Sequence, residues 1–304
     1  NAGGFKITNY GGTDAPSATT DVAQNSATAS GTSAVTRTLP SKLRDSVSVF
    51  DYLTTAQIAD VQARTYVEDV STAVAAAFAA SKDVDFPDGG YRGSFSVVRA
   101  GTTLKFGDVT LKGRAADTEV LSVVGVNNCV VHGGVKIDMA DMTDASTRFG
   151  FRASAGFGHR FSDIQVLNEG ASNFGLRVET GVYTSVFENV EANRVSIQGT
   201  SLGDAVTTCT FVNLDWEFAD IDYAIAMTFI NPIIQGSSDK LDMANVRSIT
   251  LIGGDIEGTG TYLKAGSGVT NVVSINNDTG AFSGTYTSGT IDPVFLWDIS
   301  RNAV

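Results

Sequence analysis

Cysteine, histidine and basic residues are scarce in this chain. Among 304 residues there are two cysteines, two histidines and 21 lysines and arginines, against 33 aspartates and glutamates, so the net charge is -12. An acidic surface repels phosphate backbones, and a nucleic-acid partner is therefore not expected. No metal-ligand spacing is present, and we predict no metal and no other cofactor.

Long apolar runs and proline are also lacking. No run of about 18 apolar residues occurs, so neither a membrane span nor a membrane partner is predicted. The first thirty residues are polar, which argues against a signal peptide, and the start at Asn1-Ala2 without Met suggests a fragment or a processed product. Five prolines beside 32 glycines suit many short strands joined by tight turns.

One short phrase recurs six times between residues 132 and 256. Each copy has a large apolar or aromatic residue, a spacer, a small turn residue and then two apolar residues in alternation. The copies begin at His132, Phe161, Phe187, Phe211, Phe229 and Leu251. Their spacings of 29, 26, 24, 18 and 22 residues are too short for strand–helix units and are typical of a β-solenoid.

The repeated positions have structural interpretations. The aromatic positions are expected to stack inside the solenoid as a column, and His132 is expected to share their inward direction as a core residue. The turn positions are expected to form a ladder, because Asn and Gly tolerate the left-handed backbone of a sharp turn. This ladder comprises Asp163, Asn189, Asn213, Asn231 and Gly253.

The two cysteines fall three repeats apart. At about 4.8 Å per repeat, Cys129 and Cys209 would be separated by roughly 14 Å. A disulfide needs Cα atoms within about 7 Å. We therefore predict two free, mostly buried thiols without a redox role.

Composition divides the chain into four predicted segments. These are an extended Ala/Ser/Thr-rich linker or attachment segment over 1–36, a leading strand and helical cap over 37–92, a parallel β-helix over 93–276 and a C-terminal strand or cap over 277–304. In the second segment a short helix is predicted after a Thr54 or Thr55 N-cap. A longer helix is predicted over 69–81, with a Ser71 N-cap and with Val74 and Phe78 on its apolar face.

Three stretches carry a resemblance to a known family. They are LRDSVSVFDY at 43–52, FPDGGY at 86–91 and GFKITN at 4–9. The first two resemble the start of bacteriophage tailspikes and tail fibres with a pectate-lyase-like fold, and the third is similar to a phrase found upstream in short-tailed podophage fibres. Residues 53–58 differ from the Gly- and Asp-rich segment that many members of this family have there.

The resemblance implies an all-β, right-handed parallel β-helix with a small N-terminal α-helical cap, assembled as a homotrimer. It implies a virion tail appendage that recognises a bacterial surface polysaccharide, capsule or lipopolysaccharide, during host adsorption. Other phage tail proteins would be contacted through residues 1–36. The alternative is a polysaccharide depolymerase on the same fold, a hydrolase or a lyase, and whether the chain is an enzyme stays open. A cellular pectin-degrading β-helix enzyme is a third hypothesis. It is disfavoured by the low-complexity leading segment and by the absence of a secretion signal.

An acidic group is the first candidate site. Asp215, Glu217 and Asp220 follow one phrase and its turn, and two carboxylates can flank a glycosidic bond for hydrolysis. We list these three residues as candidate catalytic groups. The alternative interpretation is a solvated acidic face. Trp216, between them, is predicted to point inward.

A basic group is the second candidate site, in the two longest steps of the repeat. Arg148, Arg152, His159 and Arg160 are candidate substrate-binding residues, because arginine forms bidentate contacts with the carboxylates of an anionic glycan. His159 would suit the base of a lyase. The alternative interpretation is ordinary rung packing with solvent-exposed arginines. The longest steps, 132–161 and 161–187, are where a ligand is expected first.

Overall fold

The computed structural model describes residues 46–235, 241–258, 261–266 and 268–275, and also the short strands at 7–8, 26–27, 37–38, 278–282, 285–288 and 295–297. No helix among these described residues is long and apolar enough to cross a membrane.

The elements of the N-terminal third are two helices and nine short strands. They are β1 (Ile7–Thr8), β2 (Ser26–Ala27), β3 (Arg37–Thr38), β4 (Val47–Ser48), a 3-10 turn (Val49–Tyr52), α1 (Thr55–Ala63), α2 (Ser71–Ala80), β5 (Asp83–Phe86), β6 (Gly89–Arg92), β7 (Phe95–Val97), β8 (Thr103–Phe106) and β9 (Val109–Lys112).

Strands dominate the remainder. The middle third holds β10 (Glu119–Val124), β11 (Val130–His132), β12 (Val135–Asp138), β13 (Phe149–Ser154), β14 (Gly156–Phe157), β15 (Arg160–Leu167), β16 (Phe174–Glu179), β17 (Val182–Tyr183), β18 (Val186–Glu191), β19 (Arg194–Gln198), a 3-10 turn (Leu202–Asp204) and β20 (Val206–Thr207). The last third holds β21 (Thr210–Val212), β22 (Asp215–Trp216), β23 (Phe218–Asp222), β24 (Ala224–Ile230), β25 (Ile233–Ile234), β26 (Leu241–Ala244), β27 (Arg247–Ile252), β28 (Asp255–Gly258), β29 (Thr261–Ala265), β30 (Thr270–Ile275), β31 (Asp278–Phe282), β32 (Thr285–Ser288) and β33 (Phe295–Trp297).

Strands β4 to β33 form the predicted all-β parallel β-helix, whereas β1, β2 and β3 form a separate antiparallel sheet. Sheet 1 has nine strands, in the order β7, β10, β13, β16, β19, β23, β26, β29 and β32, so each rung contributes one strand. Sheet 2 contains the two halves of every phrase and the short strands β14, β17 and β20. Parallel pairing already begins at Val47, which pairs with Val84, and rung stacking thus extends N-terminal of residue 93. The four-segment division itself stays a prediction.

The phrase aromatics form the predicted interior column. Phe161, Phe187, Phe211 and Phe229 are each at most 1% exposed. Successive ring centroids lie 5.1, 4.8 and 4.8 Å apart, and the last two pairs are stacked with interplanar angles of 16° and 11°. The parallel register aligns them directly, because Phe161 pairs with Phe187 and so on along the helix. Burial of such rings stabilises the middle rungs together with the buried aliphatic side chains around them.

The turn positions form the predicted ladder. Asp163, Asn189, Asn213 and Asn231 have φ between 49° and 59°, in the left-handed region, and Gly253 has φ 64°. The Asn189 side-chain amide donates to Asp163 at 2.8 Å, and Asn213 donates to Asn189 at 2.8 Å. Asn therefore has two roles at these turns. It adopts the left-handed backbone at little cost, and its side chain bonds to the preceding rung.

His132 is a correction to the predicted alignment. Val131, which is fully buried, pairs with Phe161, whereas His132 is the outward neighbour of Lys105. The pair Gly133–Gly134 replaces the single turn residue of the later phrases, so that Val135 returns to register with Ile164. Because inward and outward positions alternate along a strand, this one-residue offset moves His132 out of the core.

The two helices of the N-terminal segment agree with the prediction, but one predicted N-cap residue does not. Thr54 is the N-cap of α1 through a reciprocal capping box with Gln57. In α2, Val74 and Phe78 are buried as expected. Ser71 is wrong as the N-cap, because Val70 occupies that position without a side-chain cap.

Two thiols, Cys129 and Cys209, are free and buried as predicted.

The turn ladder generates a prediction about stability. Asn213→Ala should lower the free energy of unfolding by about 2 kcal/mol, because it loses a ladder hydrogen bond and places alanine at positive φ. Asn213→Gly should cost about 1 kcal/mol, because glycine keeps the backbone and loses only the bonds. Denaturant unfolding of both variants measures this. Equal losses would show that the left-handed backbone has no energetic role there.

Candidate functional site

A cleft forms at the corner where the chain passes from sheet 2 to sheet 1. This corner is a long loop in two successive rungs, 139–148 and 168–173, and a minimal turn in the next two, at 192–193 and Glu217. The change of loop length creates a step on the surface of the β-helix. A cavity of about 290 Å³ lies at this step, which we call the corner cleft. It is lined by Glu169, Gly170, Ala171, Asn193, Arg194, Glu217 and Phe218.

The loop wall of the cleft is held by hydrogen bonds between the two long loops. The Asp144 carboxylate accepts from the backbone N–H of Ser172 at 2.7 Å and of Asn173 at 3.2 Å. The Asn173 side-chain oxygen accepts from the N–H of Ala145 at 2.7 Å. Because each loop satisfies backbone groups of the other, the wall has a defined position before any ligand arrives.

Glu169 is the most perturbed carboxyl group of the cleft. Its side chain accepts from the backbone N–H of Asn193 at 2.7 Å and of Arg194 at 2.9 Å, in the next rung. Burial raises the pKa of Glu169 from 4.5 to about 7, while these amides and the charge of Arg194 oppose that rise. A Cβ at Gly175 would collide with Glu169, so glycine is required beside it.

Arg194 supplies the positive charge at the cleft floor. Its guanidinium lies over the rings of Phe174, at 5.2 Å, and Phe218, at 4.9 Å. Cation–π contacts of this kind hold a charged group against an apolar surface. Its Nε atom is buried and has no hydrogen-bond partner among the described residues. Arg194 is therefore a fixed cation, and the hydrogen-bonding capacity that a ligand can use lies in its terminal nitrogens and not in the enclosed Nε.

Glu217, predicted as a catalytic group, lies in this cleft. It forms the one-residue corner between β22 and β23, and its backbone N–H donates to Asn193 at 2.9 Å. Its side chain is exposed and makes no hydrogen bond or ion pair with the part of the chain that the structure describes. The cleft thus combines an exposed carboxylate, Glu217, a half-buried one, Glu169, and the guanidinium of Arg194 in one cavity.

The other two predicted catalytic residues lie on different faces. Asp215 is on the outer face of sheet 2, beside Glu191 of the preceding rung. Burial, followed by the negative charges of Glu191 and Glu217, raises the pKa of Asp215 to about 6. The chain turns at Glu217, and Asp220 consequently projects from sheet 1. The acidic group of the sequence is not one constellation.

Asp220 lies in a polar strip on the outer face of sheet 1. It accepts a hydrogen bond from the Gln198 side chain at 2.6 Å. Burial and then the negative charges of Asp242 and Asp222 raise its pKa, while Gln198 and Arg177 oppose this. Asp220 is therefore engaged in contacts along the strip, away from the corner cleft.

Two predicted substrate-binding arginines are held by the protein itself. Arg148 donates to the backbone carbonyls at 116–117, at 2.9 and 2.6 Å. Arg152 forms ion pairs with Glu119 at 2.9 Å and Glu179 at 2.6 Å. Each guanidinium is bonded within the protein, although the buried Nε of Arg148 has no partner among the described residues, and a ligand would have to displace these bonds. Neither residue lines the corner cleft.

His159 does not occupy a position suited to substrate binding. It is 2% exposed, and its ring stacks on Phe161 at 5.3 Å as an extension of the aromatic column. Burial lowers the pKa of His159 to about 4, so the ring is neutral at neutral pH. Arg160, by contrast, has a side chain that is 67% exposed and pairs with Glu188 at 3.2 Å.

A second cavity, also about 290 Å³, lies on the outer face of sheet 2, between Gly134 and Glu191. Its polar side chains bond to each other: Gln165 donates to Glu191 at 2.8 Å, and Asn189 donates to Asp163 at 2.8 Å. The corner cleft has more free hydrogen-bonding capacity, and for that reason we take it as the candidate site.

Glu169 and Arg194 are the charged cleft residues that the sequence motifs missed, and for Glu169 a signal was present. Glu169 lies in the 161–187 step, one of the two where a ligand was expected first, so loop length was the signal that could have found it. Its neighbours Asn168 and Gly170 carry no motif. The contact between Glu169 and residues 193–194 is a rung-to-rung contact. Such a pairing becomes visible only when the register is known.

Glu169 generates a prediction for stability against pH. Its folded pKa of about 7 lies above the ordinary 4.5, so the folded state binds more protons between these values and stability falls as pH rises through that window. Glu169→Gln should remove about 1–3 kcal/mol of this dependence between pH 5 and 8. Unfolding measured across this range tests it, with Glu188→Gln, outside the cleft, as the control. Parallel profiles for wild type and Glu169→Gln would contradict the assigned burial of charge.

Comparison with known proteins gives structural neighbours only. No family model matches the chain, and no curated protein matches it in sequence. Several solved structures are similar in fold, and phage tailspikes and polysaccharide hydrolases are among them.

Three of these structures illustrate the range. The tailspike of E. coli bacteriophage HK620, in complex with a pentasaccharide, is 12% identical, with a TM-score of 0.49, over 88% of this chain and 62% of that one. The enzymatically active domain of tailspike protein 2 of bacteriophage CBA120 is 9% identical, with a TM-score of 0.46, over 77% and 44%. Endo-xylogalacturonan hydrolase from Aspergillus tubingensis is 15% identical, with a TM-score of 0.44, over 77% and 82%. The chain spans less than two thirds of the length of both tailspikes.

Proposed function

We propose that this chain recognises a bacterial surface polysaccharide, capsule or lipopolysaccharide, and that the corner cleft is a contact site for that glycan. The observation that carries the proposal is the arrangement of Glu169, Arg194 and Glu217 in one open cavity of about 290 Å³. Sugar hydroxyls both donate and accept hydrogen bonds, and they match carboxylate acceptors beside a guanidinium donor.

The rigidity of the corner supports the same function. Glu169 is bonded to the next rung and Arg194 is held between two rings, so binding would not have to order these groups. Pre-organised polar groups bind with less loss of conformational entropy. Glycan chains are flexible and heavily hydrated, so a preformed site reduces the part of the cost that falls on the protein.

The biological setting of the proposal comes from the resemblance at 43–52 and 86–91. On this basis the chain is part of a tail fibre or tailspike in the virion, assembles as a homotrimer and contacts other tail proteins through residues 1–36. Light scattering of the purified chain tests the assembly, with a mass of three chains as the expected result. A monomeric mass would contradict the trimer.

Binding can be tested with capsular polysaccharides and lipopolysaccharides from a panel of bacterial strains, immobilised on an array. Glu217→Ala should weaken retention of the bound polysaccharide by about tenfold, the effect of one lost charged hydrogen bond. Glu68→Ala, which removes an exposed glutamate outside the cleft, is the matched control. Binding unchanged by Glu217→Ala would exclude the corner cleft as the contact site, and absence of binding to any glycan would exclude the function.

A depolymerase at the same cleft is the second candidate. The observation that favours it is the pKa of Glu169, about 7, beside the second carboxyl group of Glu217. A carboxyl group that is partly protonated at neutral pH suits a general acid, and glycosidases use a pair of carboxyl groups. In this reading Glu169 protonates the glycosidic oxygen and Glu217 is the partner carboxylate.

Release of reducing ends from the bound polysaccharide tests the second candidate. Glu169→Gln and Glu217→Gln should each lower the rate at least about 100-fold, the usual effect of losing an acid or base. Wild-type activity should fall as pH rises through about 7, because the acid form of Glu169 is lost there. Glu188→Gln should cleave normally. Binding without any release of reducing ends would leave the recognition role and reject the enzyme.

A further inference from the structure

Two aromatic rings are exposed on the outside of the β-helix. Phe157 is 37% exposed and Tyr183 is 43% exposed, and in the part of the chain that the structure describes no other aromatic side chain is as accessible. The remaining rings of these rungs, such as Phe151 and Phe161, are fully buried. Exposed aromatics give up the stabilisation of burial, which makes a neighbouring pair of them informative.

The register between rungs places these two rings together. Phe157 ends β14 and Tyr183 ends β17, and the two residues pair directly in the parallel ladder. Their centroids lie 5.3 Å apart with an interplanar angle of 20°, so the rings stack face to face along the helix axis. Left-handed corners at Gly158, φ 68°, and Thr184, φ 52°, end the two strands and fix the direction of each ring.

Tyr183 keeps one face free in this stack. Phe157 covers the side toward the N-terminal rungs, and the residue that pairs with Tyr183 on the other side is Thr207. A threonine side chain is too short to cover a phenol ring. No ring contact to that face of Tyr183 exists within the described residues. The free face is thus an apolar platform. Phe157 stacks on the opposite face of the ring, and Thr207 is the ladder neighbour on the free side.

Polar groups border this platform. In the rung that contains Thr207, the corner before this residue is the longer loop 199–205. A 3-10 turn in that loop carries the exposed Asp204. On the Phe157 side, the Asn127 side chain accepts from the backbone N–H of Phe157 at 3.2 Å. The Asn127 side chain thus lies at the Phe157 end of the stack, and the loop 199–205 precedes Thr207 along the chain.

We propose that the free face of Tyr183, with Phe157 and Thr207, is a second glycan-binding site that stacks on the apolar C–H face of a pyranose ring. A pyranose is amphipathic, with an apolar face and hydroxyl groups around its edge, and this corresponds to a ring platform with a polar border. The net charge of -12 favours a neutral sugar over an acidic one.

The inference rests on the proposed polysaccharide function but not on the corner cleft. Strand β16 of sheet 1 separates the two sites. It begins at Phe174, beside the cleft, and ends at Glu179, four residues before Tyr183. A strand of six residues spans about 20 Å. One polysaccharide chain has the reach to contact both sites, and the second site would contribute to affinity and not to bond cleavage.

The test uses the polysaccharide array with the full chain. Tyr183→Ala should weaken binding about 3- to 10-fold, the effect of one lost aromatic stacking contact, and Tyr183→Phe should bind within about twofold of wild type. Val98→Ala is the matched control, because Val98 is an exposed apolar residue, 68% accessible, on the first rungs. If the chain cleaves its glycan, Tyr183→Ala should raise KM and leave kcat unchanged.

Each outcome separates this inference from the proposed cleft. Loss of binding in Tyr183→Ala with normal binding in Glu217→Ala supports the aromatic site and rejects the cleft. Normal binding in Tyr183→Ala with loss in Glu217→Ala rejects the aromatic site and leaves the cleft. Absence of binding by the wild-type chain rejects both. A change in the light-scattering mass of Tyr183→Ala would show that a second copy covers the ring, which overturns the inference.

Discussion

The parallel register between successive rungs is the constraint on which the remaining structure depends. Because Phe187 lies directly above Phe161, and Phe211 above Phe187, each ring covers the next and the core is continuous. The same register places Asn189 above Asp163 and so allows the turn ladder to bond. A slip of one residue would bring side chains of the opposite face into the core. The aromatic column and the turn ladder therefore stabilise the same alignment.

The two proposed sites lie where this regular stacking is interrupted. The corner cleft exists because the loops 139–148 and 168–173 are followed by minimal turns at 192–193 and Glu217. The aromatic platform exists because Thr207, a small residue, follows Tyr183 in its ladder. In both places the regular rungs form a rigid base, and a change in loop length or side-chain size makes a local concavity. This division of roles is common in proteins that carry binding sites on loops of a stable scaffold.

Charge is arranged to suit a solvated scaffold more than a strongly anionic ligand. Arg152 is neutralised by two glutamates, and Arg148 donates two hydrogen bonds to backbone carbonyls. Arg194, in contrast, stacks on two rings, and its guanidinium makes no hydrogen bond or ion pair with the described residues. Such a cation in one cavity with two carboxyl groups is a local exception in an acidic chain. This exception is the physical basis for assigning the glycan contact to the corner cleft.

The sequence by itself determined the β-helix, the Phe161–Phe229 column, the Asn turns and the free buried thiols, because each depends on a local pattern repeated from rung to rung. Only the tertiary structure decided which polar residues meet. The corner at Glu217 separates Asp215 from Asp220, the offset at Gly133–Gly134 turns His132 outward, and stacking on Phe161 buries His159. Glu169 meets residues 193–194 through rung stacking, across a separation in sequence that varies with loop length. Repetition in the chain encodes the scaffold, whereas the site depends on irregular corners whose direction no repeat specifies.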